Sequence, residues 1–182
     1  MARSALAADL ARARQHGDAF SPGVQALLAY RFGRWLVERP RAVRLLLDPF
    51  YAVLNLAVRA LWGIEISRHA RIGAGLYIAH AGGLVIAKHA VIGENCNLSH
   101  DVTIGRSGYG ENYGVPVIGD DVYIAPGAKV FGKIRIGDNV KIGANAVVHR
   151  DVPNNAVVAL DPGFQVVSFK GNRRRAPLQR AS

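Results

Sequence analysis

The chain has 182 residues, a single cysteine and a formal net charge of +10. Half of its residues are hydrophobic and a fifth are charged, which excludes an intrinsically disordered chain. The single cysteine, Cys96, excludes a disulfide framework within the chain and a cysteine-rich zinc site.

The positive charge is concentrated at the two ends. Residues 1–63 carry nine basic and four acidic side chains, residues 64–163 carry nine of each, and residues 164–182 carry five basic and none acidic. A nucleic-acid reader would place its basic patch on the folded recognition surface, so no nucleic-acid partner is expected. Basic ends suit an anionic membrane surface or an anionic ligand held near a terminus. No secretory signal is evident at the N-terminus, so a cytoplasmic location is predicted.

The first 63 residues read as a helical segment. Ser21 and Pro22 form a helix start, and Pro40 bounds that helix at its far end. Pro49 is expected to kink or divide the following stretch, residues 41–62. The polar residues of this stretch recur mostly at three- or four-residue steps, so they share one side of a helix and leave a broad apolar face. They are Arg41, Arg44, Asp48, Asn55 and Arg59.

Residues 41–62 are long enough to cross a bilayer, but their charges argue against it. Three interpretations stay open: an amphipathic helix at an anionic membrane interface, a helix packed on a partner subunit, and a plain packing helix. Peripheral contact with the inner face of the cytoplasmic membrane through residues 41–62 is therefore a prediction.

From residue 64 to residue 160 the chain is a six-residue repeat. A period of six is neither helical nor that of a simple hairpin, and such short strands bury an apolar face only by stacking as coils of a solenoid. The sequence therefore predicts a parallel β-helix, with three repeats in each triangular coil. Residues 1–63 form the helical segment before it and residues 161–182 a basic tail. The repeated aliphatic residues are Ile66, Ile72, Ile78, Ile86, Ile92, Leu98, Ile104, Ile118, Ile124, Val130, Ile136, Ile142 and Val148.

Turn residues are expected at the corners of this solenoid. Gly73, Asn97, Asn139 and Asn145 are the candidates, since glycine and asparagine accept backbone conformations that β-branched residues resist.

The repeat also predicts which residues stack. Counting three repeats per coil places Ile78, Leu98, Ile124 and Ile142 above one another, about 4.8 Å apart. Two residues beyond each lie His80, His100, Pro126 and Ala144. This describes a groove along one corner that is polar at one end and lined by small residues along the rest.

Two pairs of histidines stack, and only one borders the breaks in the repeat. Gly82 and Gly83 follow His80 closely, and the glycine-rich segment 106–117 interrupts the coil after His100. Loops that leave a regular scaffold commonly carry function. His69 and His89 stack on another corner and are interpreted as exposed polar residues without a role.

The repeat resembles that of the hexapeptide-repeat acyltransferases, which implies a left-handed β-helix. Residues 63–86, 100–105 and 124–132 are similar to the active-site segments of serine acetyltransferases. The resemblance implies acetyl-CoA as co-substrate, His80 as catalytic base and Glu65, fifteen residues earlier, as its carboxylate partner. It also implies that CoA is bordered by the backbone around Ala125, Pro126 and Ala144, to which the prediction adds Gly105 and Gly143.

Three departures from that family led to a narrower prediction. Ala79 stands where serine acetyltransferases have an acidic residue, and Gly114-Val115 stands where they have Arg-His. The long N-terminal helical domain is mostly absent. Free serine is therefore expected to be a poor acceptor, and the colanic-acid-type exopolysaccharide O-acetyltransferases are the closer match. The predicted function is O-acetylation of a sugar hydroxyl on a polysaccharide or its lipid-linked precursor.

The predicted mechanism is direct transfer. His80 takes the proton of the acceptor hydroxyl, and Glu65 holds the imidazole tautomer and stabilises the imidazolium. His100 orients the acceptor or donates to the thioester oxygen. Backbone N–H groups near Gly82-Gly83 or Gly105 are the oxyanion candidates. Cys96 is interpreted as structural and no metal is expected.

Several alternatives are weighed against this function. The first is an acetyltransferase acting on serine or another small acceptor. A metal-dependent hydratase of carbonic anhydrase type needs three converging histidines, and the sequence offers two. A non-catalytic scaffold or sugar-binding module would not need both Glu65 and His80. A homotrimer is predicted, because family members close the CoA groove with a neighbouring subunit, towards which residues 106–117 would reach.

Overall fold

The structure, a computed structural model, describes residues 4–160. Three helices come first: α1 (Ala5–Gln15), α2 (Pro22–Val37) and α3 (Arg41–Trp62). A short 3-10 helix, Gly110–Asn112, interrupts the strands that follow. The strands are β1 (Ile64–Ile66), β2 (Arg71–Ile72), β3 (Tyr77–Ile78), β4 (Leu84–Ile86), β5 (Val91–Ile92), β6 (Asn97–Leu98), β7 (Thr103–Gly105), β8 (Val117–Ile118), β9 (Tyr123–Ile124), β10 (Lys129–Phe131), β11 (Arg135–Ile136), β12 (Lys141–Ile142), β13 (Val147–Val148) and β14 (Val157–Val158). The basic tail lies outside the described residues.

The helices begin and end at the residues that elementary rules favour. The Ser21 hydroxyl accepts a hydrogen bond from the N–H of Val24, and Pro22 occupies the first turn of α2. Gly63 closes α3 in the left-handed conformation, with φ of 60°. Pro49 does not divide the stretch, since α3 runs as one helix from Arg41 to Trp62, and Pro49 is exposed on it.

The strands form three parallel sheets, one for each side of a triangular prism. Their orders are β1-β4-β7-β10-β13, β2-β5-β8-β11 and β3-β6-β9-β12-β14. Every pairing follows the predicted spacing of coils: Ile66 pairs with Ile86, Ile72 with Ile92, and Ile78 with Leu98. The predicted parallel β-helix of hexapeptide repeats is confirmed.

The interior of the prism is a continuous aliphatic column. Ile78, Leu98, Ile124 and Ile142 stack in it and are each at most 1% exposed. Their neighbours in sequence point outward, which gives two-residue strands one buried and one outward position. No strand here buries a face alone, so stability depends on stacking between coils.

Residues at the corners adopt the left-handed backbone conformation, but some of them are not the residues that were predicted. Asn139 and Asn145 adopt φ of 53° and 57°, as expected. Gly73 and Asn97 do not: Asn97 lies in β6, and the positive φ of that corner falls on Gly75 and Asn95. Gly73 is instead required by close packing, because a Cβ there would lie 2.6 Å from the backbone of Gly93. The prediction identified the right residue types and misplaced two of them by two positions.

Helices α1 and α2 cover the first coil. Arg31 donates hydrogen bonds to the carbonyls of Ile72 and Gly73 at 2.7 and 2.6 Å, and the Tyr30 hydroxyl donates to Ala70 at 3.0 Å. Asp9 accepts from the N–H of Leu76 at 2.9 Å and forms an ion pair with Arg31. The first coil has no preceding coil to pair with, so these side chains satisfy its free backbone groups.

Candidate active site

The four residues predicted to stack lie on one corner of the prism, between the β3 and β4 sheets. His80, His100, Pro126 and Ala144 occupy equivalent positions in successive coils. Backbone hydrogen bonds join the coils at this corner: Gly127 N–H donates to the carbonyl of His100 at 3.2 Å, and Asn145 N–H to that of Pro126 at 2.9 Å. This corner is called the histidine corner below.

The two histidines of this corner are neighbours. Their ring centroids are 5.6 Å apart with the rings edge to face, and both side chains are exposed. Both imidazoles are therefore open to solvent in the single chain. His69 and His89 lie on a different corner, with ring centroids 6.3 Å apart. Partial burial, and then the charge of Lys88, lower the pKa of His69.

Glu65 is paired with an arginine. It lies on β1, beside Val85, and its carboxylate is 3.1 Å from the Arg59 guanidinium at the end of α3. Within residues 4–160, no hydrogen bond joins Glu65 to His80. The role of Glu65 therefore stays a prediction. The contact of Arg59 with Glu65 could not be predicted from the sequence, because it depends on where α3 meets the first coil.

One of the proposed oxyanion donors is already in use. The N–H of Gly82 donates to the carbonyl of Trp62 at 2.8 Å, which ties the corner loop to the end of α3. Gly83 has φ of 65°, and a Cβ there would lie 2.6 Å from a carboxylate oxygen of Asp101. The glycine pair is thus required to bring the corner loop against α3 and the next coil. Its Gly82 amide is not available to an oxyanion.

The residues expected to border CoA fall in two places. Ala125, Pro126, Gly143 and Ala144 follow β9 and β12 on the histidine corner, where Ala125 is buried and Ala144 is exposed. Their role in binding CoA stays a prediction. Gly105 ends β7 on the adjacent corner, with Phe131 beside it. In a single chain Gly105 is therefore separated from the other four.

The interruption of the repeat is a projecting loop. Residues 106–116 leave the end of β7, are pinched by an antiparallel bridge between Ser107 and Gly114, and return at β8. Lys133 Nζ donates to the carbonyl of Glu111 at 2.9 Å, which holds the loop to the following coil. At its tip Tyr109 is 94% exposed. The loop therefore presents an aromatic side chain away from its own prism.

A second pair of charged residues adjoins the histidine corner. Asp101, next to His100, has φ of 57° and its carboxylate lies 3.3 Å from Lys129 Nζ. This pair was not predicted from the sequence. The stacking of coils could have indicated it, because Lys129 pairs with Thr103, two residues after Asp101. Among residues 4–160, no three side chains of histidine, cysteine, aspartate or glutamate are grouped so as to hold a metal ion.

A β-helix of six-residue repeats with histidines at one corner defines the class of hexapeptide transferases. Residues 116–150 match the family model described as "Bacterial transferase hexapeptide (six repeats)". The chain is 40% identical over 157 residues to a serine acetyltransferase of Synechococcus elongatus, covering 86% of this chain and 61% of that protein. It is 41% identical over 138 residues to a serine acetyltransferase of Helicobacter pylori, covering 74% of this chain and 75% of that protein.

Solved structures give the same result. The crystal structure of serine acetyltransferase isoform 3 of Entamoeba histolytica in complex with cysteine matches with a TM-score of 0.73 at 27% identity, over 90% of this chain and 59% of that one. The serine acetyltransferase of Neisseria gonorrhoeae in complex with serine matches with a TM-score of 0.70 at 33% identity, over 88% of this chain and 67% of that one. This chain belongs to the serine acetyltransferase family. It spans about six tenths of the length of the first relative.

These comparisons confirm the predicted acyltransferase family and correct the predicted acceptor. The closer likeness to colanic-acid-type enzymes is not supported, and the predicted action on a polysaccharide or lipid-linked sugar is wrong. The weight placed on Ala79, Gly114 and Val115 was too great, because three positions were set against a similarity that extends over most of the chain.

Proposed function

We propose that the protein transfers the acetyl group of acetyl-CoA to the hydroxyl of L-serine. The observation that carries the proposal is the pair His80 and His100 on one open corner, continued by Pro126 and Ala144, in a chain similar to serine acetyltransferases over 86% of its length. Two imidazole rings and a line of small residues thus share one side of the prism, which supports a role for this corner in acetyl transfer.

The proposed reaction is a single displacement. The His80 imidazole accepts the hydroxyl proton as the serine oxygen bonds to the thioester carbonyl carbon. The carbon–sulfur bond then breaks, and the proton held by His80 passes to the departing CoA thiolate. The products are O-acetylserine and free CoA, and no covalent enzyme intermediate is needed. His100, one coil away, is placed to orient the acceptor or to donate to the carbonyl oxygen.

We further propose that the active form is a homotrimer in the cytoplasm. The histidine corner of one chain is an open surface, and Gly105 lies on a different corner. A neighbouring chain packed against the histidine corner would bring a second wall, and the exposed Tyr109 loop is placed to supply it. Light scattering is expected to give three times the chain mass. A fully active monomer would contradict this assembly.

Another small hydroxylated or amino acceptor is the second candidate. Ala79 offers no carboxylate to an ammonium group beside His80, and Gly114-Val115 offers no cationic side chain to a carboxylate. These are the positions at which this chain departs from the serine acetyltransferase pattern.

Release of free CoA thiol measured over a panel of acceptors tests the proposal. L-Serine should be turned over faster than L-threonine, L-homoserine, ethanolamine and free hexoses at equal concentration. Its product should be identified by mass as O-acetylserine. Turnover of another small acceptor with none of serine would favour the second candidate. Absence of acetyl transfer to every acceptor, with acetyl-CoA bound, would overturn both.

A further inference from the structure

The outward side of α3 is apolar along its whole length. Tyr51 and Val58 are buried on the side that faces α2 and the first coil. On the opposite side, no residue between 4 and 160 covers the large side chains, each 62–78% exposed. These form the apolar face of α3: Leu45, Leu46, Phe50, Val53, Leu56 and Leu61. The helix of 22 residues is about 33 Å long, and a continuous exposed apolar face on a soluble protein commonly marks an interaction site.

The helix lies along the protein surface. By length and composition it is the one helix of the described chain that suffices to cross a membrane. However, Asp48 contacts Arg68 at 2.6 Å and Arg59 contacts Glu65 at 3.1 Å, so α3 is tied to the first coil at two points. Crossing a bilayer would pull these pairs into hydrocarbon, which is costly. A helix held flat with its apolar side outward has the geometry of an interfacial helix.

The charges around this face select an anionic partner. Arg41 lies at the edge of this face, 40° around the helix from Leu45, and the Arg39 guanidinium lies over the Trp35 ring just before α3. Within residues 4–160 neither arginine forms an ion pair, unlike Arg59 and the other paired arginines. A second copy whose α3 met this one end to end would bring the same positive charge against them, whereas anionic lipid headgroups would neutralise it.

Aromatic side chains occupy the same edge. Trp35 is 42% exposed with the Arg39 guanidinium over its ring at 4.7 Å, and Phe50 packs edge-on against Phe32 at 5.8 Å. Tryptophan with an apolar ring and a polar N–H is favoured at the boundary between headgroups and hydrocarbon. The apolar face is therefore followed by an aromatic edge and then by an arginine. A lipid interface has the matching order of hydrocarbon, boundary region and charged headgroups.

We propose that α3 docks the protein flat on an anionic lipid bilayer. The apolar face of α3 enters the interface, and Arg39 and Arg41 contact headgroup phosphates. This attachment is independent of the acceptor used in catalysis, because the histidine corner is not part of the docking face.

Flotation of the full chain with vesicles tests this proposal. The protein should bind vesicles of phosphatidylcholine mixed with phosphatidylglycerol at low salt, and bind much less to phosphatidylcholine alone or at high salt. The double variant Leu46→Gln/Val53→Gln should bind roughly tenfold more weakly or worse, because it removes apolar burial without changing charge. Arg39→Gln/Arg41→Gln should weaken binding about fivefold per arginine and reduce the salt dependence.

Matched control variants distinguish docking through α3 from non-specific binding to vesicles. Val157→Gln removes a valine that is 73% exposed in the last coil, and Arg135→Gln/Lys141→Gln removes two basic residues of the β-helix. Both should bind as the wild type does, and all variants should keep their circular dichroism and their acetyl transfer. In a Trp62→Phe variant, the remaining Trp35 emission should shift to the blue on vesicle binding.

Three results would overturn the proposal. The first is wild-type protein that ignores anionic vesicles at low salt. The second is Leu46→Gln/Val53→Gln protein that binds them undiminished, which would assign attachment to basic residues elsewhere. The third is self-association by light scattering that the same double variant abolishes while vesicles remain unbound, which would assign the face to a second copy of the chain.

Discussion

The imidazole of His80 meets that of His100 edge to face, with 5.6 Å between ring centroids. The two residues are twenty apart in sequence and occupy the same corner of adjacent coils. Either ring is therefore within reach of an acceptor bound at this corner, and their roles are separable by mutation.

His80→Ala is expected to lower kcat by roughly 10²–10⁴-fold, the usual contribution of a positioned general base. The dissociation constant of acetyl-CoA should change little. His100→Ala should cost less in kcat and appear mainly in the acceptor KM, as a positioning role requires. His69→Ala and His89→Ala are the controls and should be silent, since they lie on another corner. Near wild-type turnover by His80→Ala, with His100→Ala inactive, would show that the base lies one coil further along.

Glu65→Gln is expected to lower kcat by about tenfold or more but less than His80→Ala, because it removes charge support and leaves the base in place. Arg59→Gln should change kcat only a few-fold, since an exposed ion pair contributes about 0–1 kcal/mol. Glu38→Gln is the matched control, because Glu38 forms a comparable exposed pair with Arg34 at 3.0 Å far from the histidine corner. Wild-type kinetics for Glu65→Gln would remove Glu65 from the mechanism and leave it a surface partner of Arg59.

Cys96 is expected to resist thiol reagents while the protein is folded. Its side chain is fully buried, its thiol donates to the carbonyl of Gly119 at 3.3 Å, and burial raises the pKa of Cys96 to about 11. Little thiolate is then present at pH 8. Iodoacetamide followed by mass measurement should label no site in native protein and one site in denatured protein. Rapid labelling of native protein would contradict the burial of the Cys96 side chain.

The raised pKa of the Cys96 thiol predicts how the stability of the protein changes at alkaline pH. Because the folded pKa lies above the unfolded one, the contribution of Cys96 is complete below the unfolded pKa and declines as pH rises through the folded value near 11. Cys96→Ala should therefore lose less stability over that interval than the wild type does, as measured by the denaturation midpoint at successive pH values.

Ile124→Ala is expected to lower the free energy of unfolding by about 2–5 kcal/mol, the range for deleting a buried aliphatic side chain. Ile124 is fully buried between Leu98 and Ile142, so its loss opens a cavity in the aliphatic column. Val147→Ala is the control and should cost under about 1 kcal/mol, because Val147 is 54% exposed. Urea denaturation measures both. Equal losses of unfolding free energy in the two variants would show that the aliphatic column is not the main source of the stability of the β-helix.

Much of the fold was predictable because a six-residue period admits few structures. The recurrence from Ile66 to Val148 implies stacked coils, and counting three repeats per coil correctly predicted that His80 would lie beside His100. The helix start at Ser21-Pro22 was equally readable, since capping is a local property. The acceptor was predicted wrongly, because substrate choice was inferred from a few side chains whose neighbours in the folded site were unknown.

The β-helix, its register and the histidine corner follow from residue spacing along one chain, so they could be predicted without coordinates. Contacts between segments that share no period depend on how those segments pack. Arg59 meets Glu65 because α3 ends against the first coil, and the Gly82 amide is occupied because Trp62 ends there too. The apolar pattern of residues 41–62 was visible in the sequence. That one of its sides packs on α2 and the other faces outward depended on how the helices cover the open end of the prism.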